Sequence, residues 1–342
     1  MEKVLFIGID FSKLSFDVTI LHEGRLEEKS GMHSKFENSK KGISSFIKWM
    51  GKIYHGDLKR DALICGENTG IYSKLLADTL FLEGYTFWLE SALQIKRSLG
   101  LRRGKSDSKD SRDIAEYAAR HKDRCKPYRK PSDAIEALQV LFTKRKLLVN
   151  QKTSLQRRSG EQEGSFADNR WLSSIDLTDN GIIEVFKKEI TAVEQQMKAI
   201  IKATPELKRV YDILTSFKGI GQINAVALIV ATDNFQRFDF DARKICSYWG
   251  VAPFACQSGT SLNGKPHVSG YADRYLKSLL SEAALTAMQF CPAIRDYAMR
   301  LRARGKHRAI IANNCKNKML HILVAMVKNG TRYGEQKNDD AA

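Results

Sequence analysis

The sequence has few cysteines, and their spacing is irregular. Six cysteines occur in 342 residues, at positions 65, 125, 246, 256, 291 and 315. Because no Cys-x-x-Cys pair occurs, the pattern argues against a zinc site and against a disulfide framework. We expect buried or free thiols in a reducing cytosol.

Long apolar segments and lipidation signals are also absent. The apolar start, residues 4–9, is too short for a signal peptide and is interrupted by Asp10. No long uncharged apolar stretch suggests a membrane span, and so we expect no membrane partner. The predicted location is the cytoplasm.

Acidic residues are scarce relative to basic ones. The chain has 56 Lys and Arg against 39 Asp and Glu, which gives a formal net charge of +17. Such an excess creates a long-range positive field, and its usual partner is a polyanion. The length suits two or three domains, each with a real core.

The first 120 residues have an α/β pattern. Residues 4–9 are predicted to form a buried strand, residues 14–21 a second, and residues 25–30 a third. Helices and strands then alternate, at 42–50, 62–66, 71–82, 85–89 and 108–120. Three antiparallel strands followed by crossovers give the order βββαβαβα, which is that of a ribonuclease-H-like mixed sheet.

Four acids are predicted to converge in that fold. Asp10 follows the first strand, Glu67 ends the fourth, and Asp107 and Asp110 share a face of the last helix. Carboxylates so placed suit Mg²⁺, with Mn²⁺ as an alternative ion, and two such ions would assist a phosphoryl transfer. The other interpretation of Asp107 and Asp110 is a solvated acidic stripe near a helix N-terminus. The lysines and arginines around them favour the metal site, because a phosphate backbone must approach carboxylates there.

A helical region is predicted from residue 129 to residue 206. Apolar residues keep helical spacing to about residue 158, and residues 160–169 are predicted to form a polar loop. The next helix has a heptad seam, made of Ile183, Phe186, Ile190, Val193, Met197 and Ile200. The pair predicts either a coiled-coil dimerisation arm or an ordinary amphipathic pair packed on the body. We favour self-association.

The C-terminal region, residues 207–330, is predicted to be mainly helical. Residues 217–221 (FKGIG) have the form of a helix–hairpin–helix turn, whose backbone N–H groups approach DNA phosphates. Residues 257–265 are polar and rich in glycine, which predicts a flexible hairpin loop. Two long helices follow, and residues 331–342 are predicted to be a disordered tail.

Several motifs occur in a defined order along residues 4 to 328. They are Phe6-Ile7-Gly8-Ile9-Asp10, Glu67-Asn68-Thr69-Gly70, Lys105-Ser106-Asp107-Ser108-Lys109-Asp110-Ser111-Arg112, Ile114-Ala115-Glu116-Tyr117, Phe217-Lys218-Gly219-Ile220-Gly221, Gly250-Val251-Ala252-Pro253 and Ser258-Gly259. The set resembles the DEDD transposases of insertion sequences, a family of bridge-RNA-guided recombinases that includes the Piv pilin-gene invertase. This resemblance implies a RuvC-like domain (1–128), a coiled-coil arm (129–206) and a C-terminal transposase domain (207–330).

The resemblance also implies a chemistry and a set of partners. Asp10, Glu67, Asp107 and Asp110 would bind magnesium, and Ser258 would attack DNA and form a phosphoserine link. A structured noncoding bridge RNA would pair with donor and target DNA. A homodimer would assemble into a homotetramer, in which the acids of one subunit meet the serine of another.

The residues around Ser258 leave its role open. A turn serine is the simpler interpretation of Ser258 alone, and Ser261 is a rival nucleophile. A serine hydroxyl needs activation, and neither His nor Lys stands in a local motif with Ser258. Metal-bound carboxylates are therefore the available source.

Basic and glycine residues near these motifs are predicted to contact nucleic acid. They are Lys13, Arg102, Arg103, Lys105, Arg112, Lys218, Gly219, Gly221, Lys265, Arg274, Lys277, Arg302 and Arg304. Nothing in the sequence has the pattern of a recognition helix or a zinc finger, which is consistent with base reading by a guide RNA.

Three other functions fit parts of the sequence. A RuvC-like nuclease that hydrolyses junctions with water would share the acids but would not need Ser258. A basic architectural protein with a decayed site would need neither. A sugar-kinase or actin fold also begins with a strand ending in Asp, but Phe11-Ser12-Lys13 lacks the glycine and threonine that it requires.

Overall fold

The structure is a computed structural model that describes residues 3–23, 32–98, 100, 107–165, 179–258 and 262–335. The chain divides into two compact units, Met1–Lys130 and Pro131–Ala342. In the described part of the chain, no helix is both long enough and apolar enough to cross a membrane.

The first unit is an α/β domain. Its elements are β1 (Leu5–Phe11), β2 (Ser15–His22), β3 (Met32–Glu37), α1 (Lys40–Ile53), α2 (Leu58–Asp61), β4 (Ala62–Glu67), α3 (Ile71–Leu82), β5 (Phe87–Glu90), α4 (Ala92–Ser98) and α5 (Asp107–Arg120). The strand order is β3-β2-β1-β4-β5, antiparallel for the first three strands and parallel from β1 to β5. This mixed sheet confirms the predicted ribonuclease-H-like fold. The third strand predicted at 25–30 lies outside the described residues, and the third strand of the structure begins at Met32.

The sheet is buried on both faces. Leu5, Ile7 and Ile9 of β1 point into one core, together with residues of α1 and α3. Phe6 points to the other face, where it packs with Ile114 and Tyr117 of α5. Burial on both faces explains why β1 is a continuous apolar run rather than an alternating one.

Helix α5 lies in close contact with β1. A Cβ atom on Gly8 would lie 2.0 Å from the Ser111 carbonyl oxygen and 2.3 Å from the Ala115 nitrogen, so only glycine fits there. On the adjacent strand the Thr19 Oγ1 and Ser111 Oγ atoms are 2.8 Å apart, within hydrogen-bonding distance. Gly8 meets α5 at Ser111 and Ala115, whereas Phe6, two residues earlier in β1, packs near Ile114 and Tyr117, so α5 runs antiparallel to β1.

The second unit is mainly helical, with one hairpin. Its elements are α6 (Asp133–Ser165), α7 (Asn180–Ala203), α8 (Pro205–Ser216), α9 (Gln222–Thr232), α10 (Ala242–Tyr248), β6 (Pro253–Ser258), β7 (Leu262–Val268), α11 (Arg274–Phe290), α12 (Pro292–Ala303) and α13 (Arg308–Asn329). One large apolar core contains residues of every one of these helices.

Helices α6 and α7 form an antiparallel pair. Arg158 bonds Asp179 at one end of the pair and Arg145 bonds Glu194 further along, so the residue numbers run in opposite directions. Of the heptad seam, Val193 and Met197 pack into the large core of this unit. The predicted loop at 160–169 is wrong for its first part, because α6 continues to Ser165; residues 166–169 lie outside the described residues. Gly160 has open space around it. A glycine inside a helix lowers helix stability by only about 1 kcal/mol, so a long helix can continue through it.

The predicted loop at 257–265 is largely a hairpin in the structure. β6 and β7 pair antiparallel, with Ser258 opposite Leu262, and residues 259–261 of the connection lie outside the described residues. In the predicted tail, the Tyr333 ring packs edge-to-face against the Phe217 ring. The Tyr333 backbone N–H donates a hydrogen bond to the Ser216 Oγ atom. Residues 336–342 are not described.

Candidate active site

A row of four carboxylates crosses the sheet on the face that α5 covers. Asp10 lies opposite Asp17 of β2. The register of β1 with β4 pairs Ile9 with Gly66, so Asp10 and Glu67 occupy the next positions of adjacent parallel strands. Glu67 in turn lies beside Glu90 of β5. The alternation of side chains along each strand places all four acids on the same face as Phe6 and Tyr117.

The two outer acids of this row have cationic or donor partners in the protein. Asp17, only 5% exposed, contacts the His33 Nε2 atom and the Lys35 Nζ atom, each at 3.1 Å. Glu90 accepts hydrogen bonds from the Tyr117 hydroxyl at 3.1 Å and from the Ser91 N–H at 2.7 Å. These partners reduce the repulsion that like charges on adjacent strands otherwise create.

The two inner acids, Asp10 and Glu67, lie where β1 and β4 end. Both are half-buried, and in the described residues no side-chain partner is found for the Glu67 carboxylate. Because α5 runs antiparallel to β1, its first turn lies toward Asp10. That turn carries Asp107 and Asp110, and Asp110 is half-buried.

The carboxylates fit a divalent cation in chemistry, although the described side chains do not complete a site. Among the described residues, no three His, Cys, Asp or Glu side chains are close enough together to hold a metal ion. The Asp107 side chain is outside the described set. What the structure brings together is Asp10 and Glu67, side by side under a helix whose close approach Gly8 permits. Oxygen donors of this kind suit Mg²⁺ or Mn²⁺.

Ser258 is the last residue of β6, and its hairpin is anchored at the base. The Asn313 Nδ2 atom donates to the Val251 carbonyl oxygen at 3.0 Å. Gly250 has φ of +65°, and a Cβ atom there would lie 2.3 Å from the Ala272 Cβ atom. The side chain of Ser258 and the whole of Ser261 lie outside the described set, so the choice between them stays a prediction.

The predicted nucleic-acid contacts have different environments. Lys13, Lys218, Arg274, Arg302 and Arg304 are exposed, as a phosphate contact requires. Lys277 is half-buried. Arg112 is half-buried too, and its Nε atom donates to the Glu116 carboxylate at 3.1 Å. Outside the described set lie Arg102, Arg103, Lys105 and the side chain of Lys265.

The two glycines of the FKGIG turn differ in role. Gly219 has φ of +110°, and a Cβ atom there would lie 2.6 Å from the Ala283 carbonyl oxygen of α11. Helix packing therefore explains Gly219 without a ligand. Gly221 is exposed, has no neighbour within 4 Å of an added Cβ atom, and precedes the first turn of α9. Only Gly221 keeps the open backbone that a phosphate contact needs.

The described cysteines are free, as the sequence predicts. They are Cys65, Cys125, Cys246, Cys291 and Cys315. Burial raises the pKa of Cys125 to about 11 and that of Cys246 to about 12. Such thiols are poor nucleophiles, because the thiolate is the reactive form.

Sequence reasoning missed Asp17 and Glu90. Glu90 ends a strand as Glu67 does, and that repeated pattern could have indicated it. The pairing of Asp17 with Asp10 depends on the exact register of the first hairpin, which the alternating pattern of residues 14–21 did not specify.

Comparisons with known proteins agree with this architecture. A family model of the DEDD IS110 transposases, described as "Transposase", matches residues 7–161. A second, described as "Transposase IS116/IS110/IS902 family", matches residues 211–299. The two matches cover the carboxylate row, α5 and the serine hairpin.

Relatives with similar sequences include two whose names concern DNA rearrangement. The chain is 26% identical to the "Pilin gene-inverting protein" of Moraxella bovis over 335 residues, which is 97% of this chain and 98% of the relative. It is 32% identical to the "Insertion element IS110 uncharacterized 43.6 kDa protein" of Streptomyces coelicolor over 155 residues, which is 44% of this chain and 38% of the relative. The chain belongs to the IS110 family of DEDD transposases.

Proposed function

We propose that this transposase cuts and rejoins DNA through a covalent phosphoserine at Ser258, with divalent cations held by Asp10, Glu67, Asp107 and Asp110. The observation that supports the proposal most is the carboxylate row. In it, Asp10 and Glu67 occupy adjacent positions where β1 and β4 end, and the first turn of α5, which carries Asp107 and Asp110, lies toward Asp10.

Each residue has a defined part in the proposed reaction. The Ser258 Oγ atom attacks a phosphorus atom of DNA, a serine–phosphate bond forms, and one deoxyribose oxygen leaves with the serine proton. Attack by a deoxyribose hydroxyl of another strand restores a phosphodiester and returns the proton to the serine. No water is consumed, so the strands are exchanged without net hydrolysis. Bound Mg²⁺ or Mn²⁺ would supply charge stabilisation for the leaving oxygen.

The acids and the serine lie in different units of the chain, Asp10 and Glu67 in the first and Ser258 in the second. We infer that a homodimer assembles into a homotetramer in which acids and serine of different subunits meet. Val140 and Leu147 support self-association, because these α6 residues are 68% and 56% exposed and lie seven residues apart on one helix face. Sedimentation velocity of a V140E/L147E variant tests this: the variant should dissociate, whereas S44E/S45E, at exposed positions of α1, should not.

We also infer that a noncoding bridge RNA selects donor and target DNA. The positive charge of the chain and its membership of this family support an RNA partner. The protein should copurify with RNA, and nuclease-treated protein should lose its DNA specificity. Specificity retained without RNA would reject the inference.

A trapping experiment tests the proposed chemistry. The protein is incubated with Mg²⁺, the RNA and DNA that copurify or flank its coding region, and the products are denatured to retain only covalent adducts. An adduct should form and map to Ser258, and S258A should abolish it while S261A retains it. If S258A still cleaves the DNA, water is the nucleophile and the protein is a RuvC-like nuclease. If D10N and E67Q change neither cleavage nor metal affinity, the site is not catalytic.

A further inference from the structure

Two lysines lie on α11 and α13, which pack against each other, and neither forms an ion pair in the part of the chain that the structure describes. Lys277 is in the first turn of α11 and Lys316 is in the middle of α13, and both are half-buried. Each follows a core residue, since Leu276 and Cys315 belong to the same apolar cluster. Because α11 packs against α13, the two lysines lie beside one helix interface.

The electrostatic surroundings of Lys316 are positive. Burial first, and then the charge of Lys277, lower the pKa of Lys316, and no carboxylate opposes them. In the part of the chain that the structure describes, neither ammonium group has an ion-pair partner. An unpaired, half-buried charge lowers the stability of the folded state unless a ligand of opposite charge binds it.

Neighbouring lysines contrast with this pair. The Lys146 Nζ atom lies 3.9 Å from an oxygen of Asp273, and the Lys318 Nζ atom lies 5.0 Å from the centre of the Tyr297 ring. Residues 297–334 contain neither Asp nor Glu, so α13 itself supplies no counter-charge. The missing anion must come from elsewhere.

The position of the pair indicates which anion that is. Asn317, next to Lys316, and Asn313, one turn earlier, both reach the Val251 carbonyl oxygen at the base of the β6–β7 hairpin. A cation pair there lies beside the segment that leads to Ser258. A phosphate group matches two ammonium groups in charge and in hydrogen-bonding capacity.

We propose that Lys277 and Lys316 together bind one backbone phosphate of a nucleic acid at the base of the hairpin. The proposed function enters only in identifying the anion as a nucleic-acid phosphate. The site itself follows from the two unpaired cations, and it can be tested without recombination activity.

A stability measurement on the full chain separates this role from a structural one. In anion-poor buffer K316M should raise the melting temperature, because methionine keeps the apolar stem and removes an unpaired charge. Stabilisation of the wild type by added inorganic phosphate should be reduced in K316M and in K277Q. K328M, at the exposed end of α13, should leave both quantities unchanged. A lower melting temperature for K316M with an undiminished phosphate response would overturn the proposal.

Binding to a short DNA duplex provides the second measurement. K277Q and K316Q should each lower the affinity for DNA several-fold. The slope of log affinity against log salt concentration should fall by about 1, which corresponds to one phosphate contact. Since both lysines hold the same phosphate, the double variant should lose less than the product of the single losses. Affinity equal to that of K328Q in all three variants would refute the site. An adduct that still forms in S258A, with these binding effects intact, would contradict only the proposed reaction and not the phosphate site.

Discussion

At the scale of single residues, the carboxylate row shows how one sheet face carries like charges. Tyr117 provides the partner of Glu90 at one end, and Lys35 with His33 provides that of Asp17 at the other. Asp10 and Glu67 lie between them. Among the described residues Glu67 has no side-chain partner, so added positive charge is favourable beside it.

Tyr117 gives a pH-dependent prediction. Burial first, and then the Glu90 carboxylate, raise its pKa well above the ordinary value of 10.0. The neutral hydroxyl therefore stabilises the folded state below pH 10, and this contribution is lost as the pH rises from there toward the folded-state pKa. Y117F should be less stable by about 1 kcal/mol at neutral pH, with the difference narrowing above about pH 10.

Urea denaturation of both proteins at several pH values measures this effect. Y72F is the matched control, because Tyr72 is 41% exposed. Parallel stability curves for Y117F and the wild type across this range would contradict the assigned hydrogen bond.

At the scale of elements, the contact of α5 with β1 determines where Asp107 and Asp110 lie. Gly8 is the residue that allows it, since any side chain would collide with backbone atoms of Ser111 and Ala115. G8A should lose about 1–3 kcal/mol of unfolding free energy and displace the first turn of α5 from Asp10.

A second glycine offers the control. Gly51 lies inside α1 with nothing within 4 Å of an added Cβ atom, so G51A should gain about 0.5–1 kcal/mol. Chemical denaturation measures the free energy of unfolding of both variants. A neutral G8A would mean that α5 can move away from β1 without cost.

Most elements could be predicted from the sequence, because the spacing of their apolar residues differs between helices and strands. The helix over 71–82 has the predicted bounds, and the strand predicted at 62–66 extends one residue further, to Glu67. α4 was missed because seven residues give too little periodicity. α6 continued past Gly160 because a glycine is only weakly unfavourable inside a long helix.

The candidate site was partly predictable. Asp10 and Glu67 follow from strand ends, which a sequence displays directly. Asp17 and Glu90 complete the row only through strand register, and the unpaired state of Lys316 depends on how α11 and α13 pack. Both features depend on how elements that are far apart in the sequence pack together, and the hydrophobic pattern of the sequence does not specify that packing.

At the scale of the whole molecule, the charge of +17 is distributed unevenly. Arg302 and Arg304 are exposed near the end of α12 and start a long stretch without acids. R302Q and R304Q should each weaken binding to any DNA sequence and reduce the salt slope of affinity by about 1. R295Q on the same helix should do less, because Arg295 already contacts Asp296 at 3.6 Å. Equal slopes for all variants would exclude this surface from phosphate binding.

The proposed metal site lies at the ends of β1 and β4, beneath α5. Titration of the metal-free protein with Mn²⁺, followed by electron paramagnetic resonance, tests this most directly. The wild type should bind Mn²⁺ in competition with Mg²⁺, and D10N and E67Q should each lose about 10-fold or more in affinity while E83Q, on an exposed turn, does not. Equal Mn²⁺ affinity in D10N, E67Q and the wild type would contradict the account.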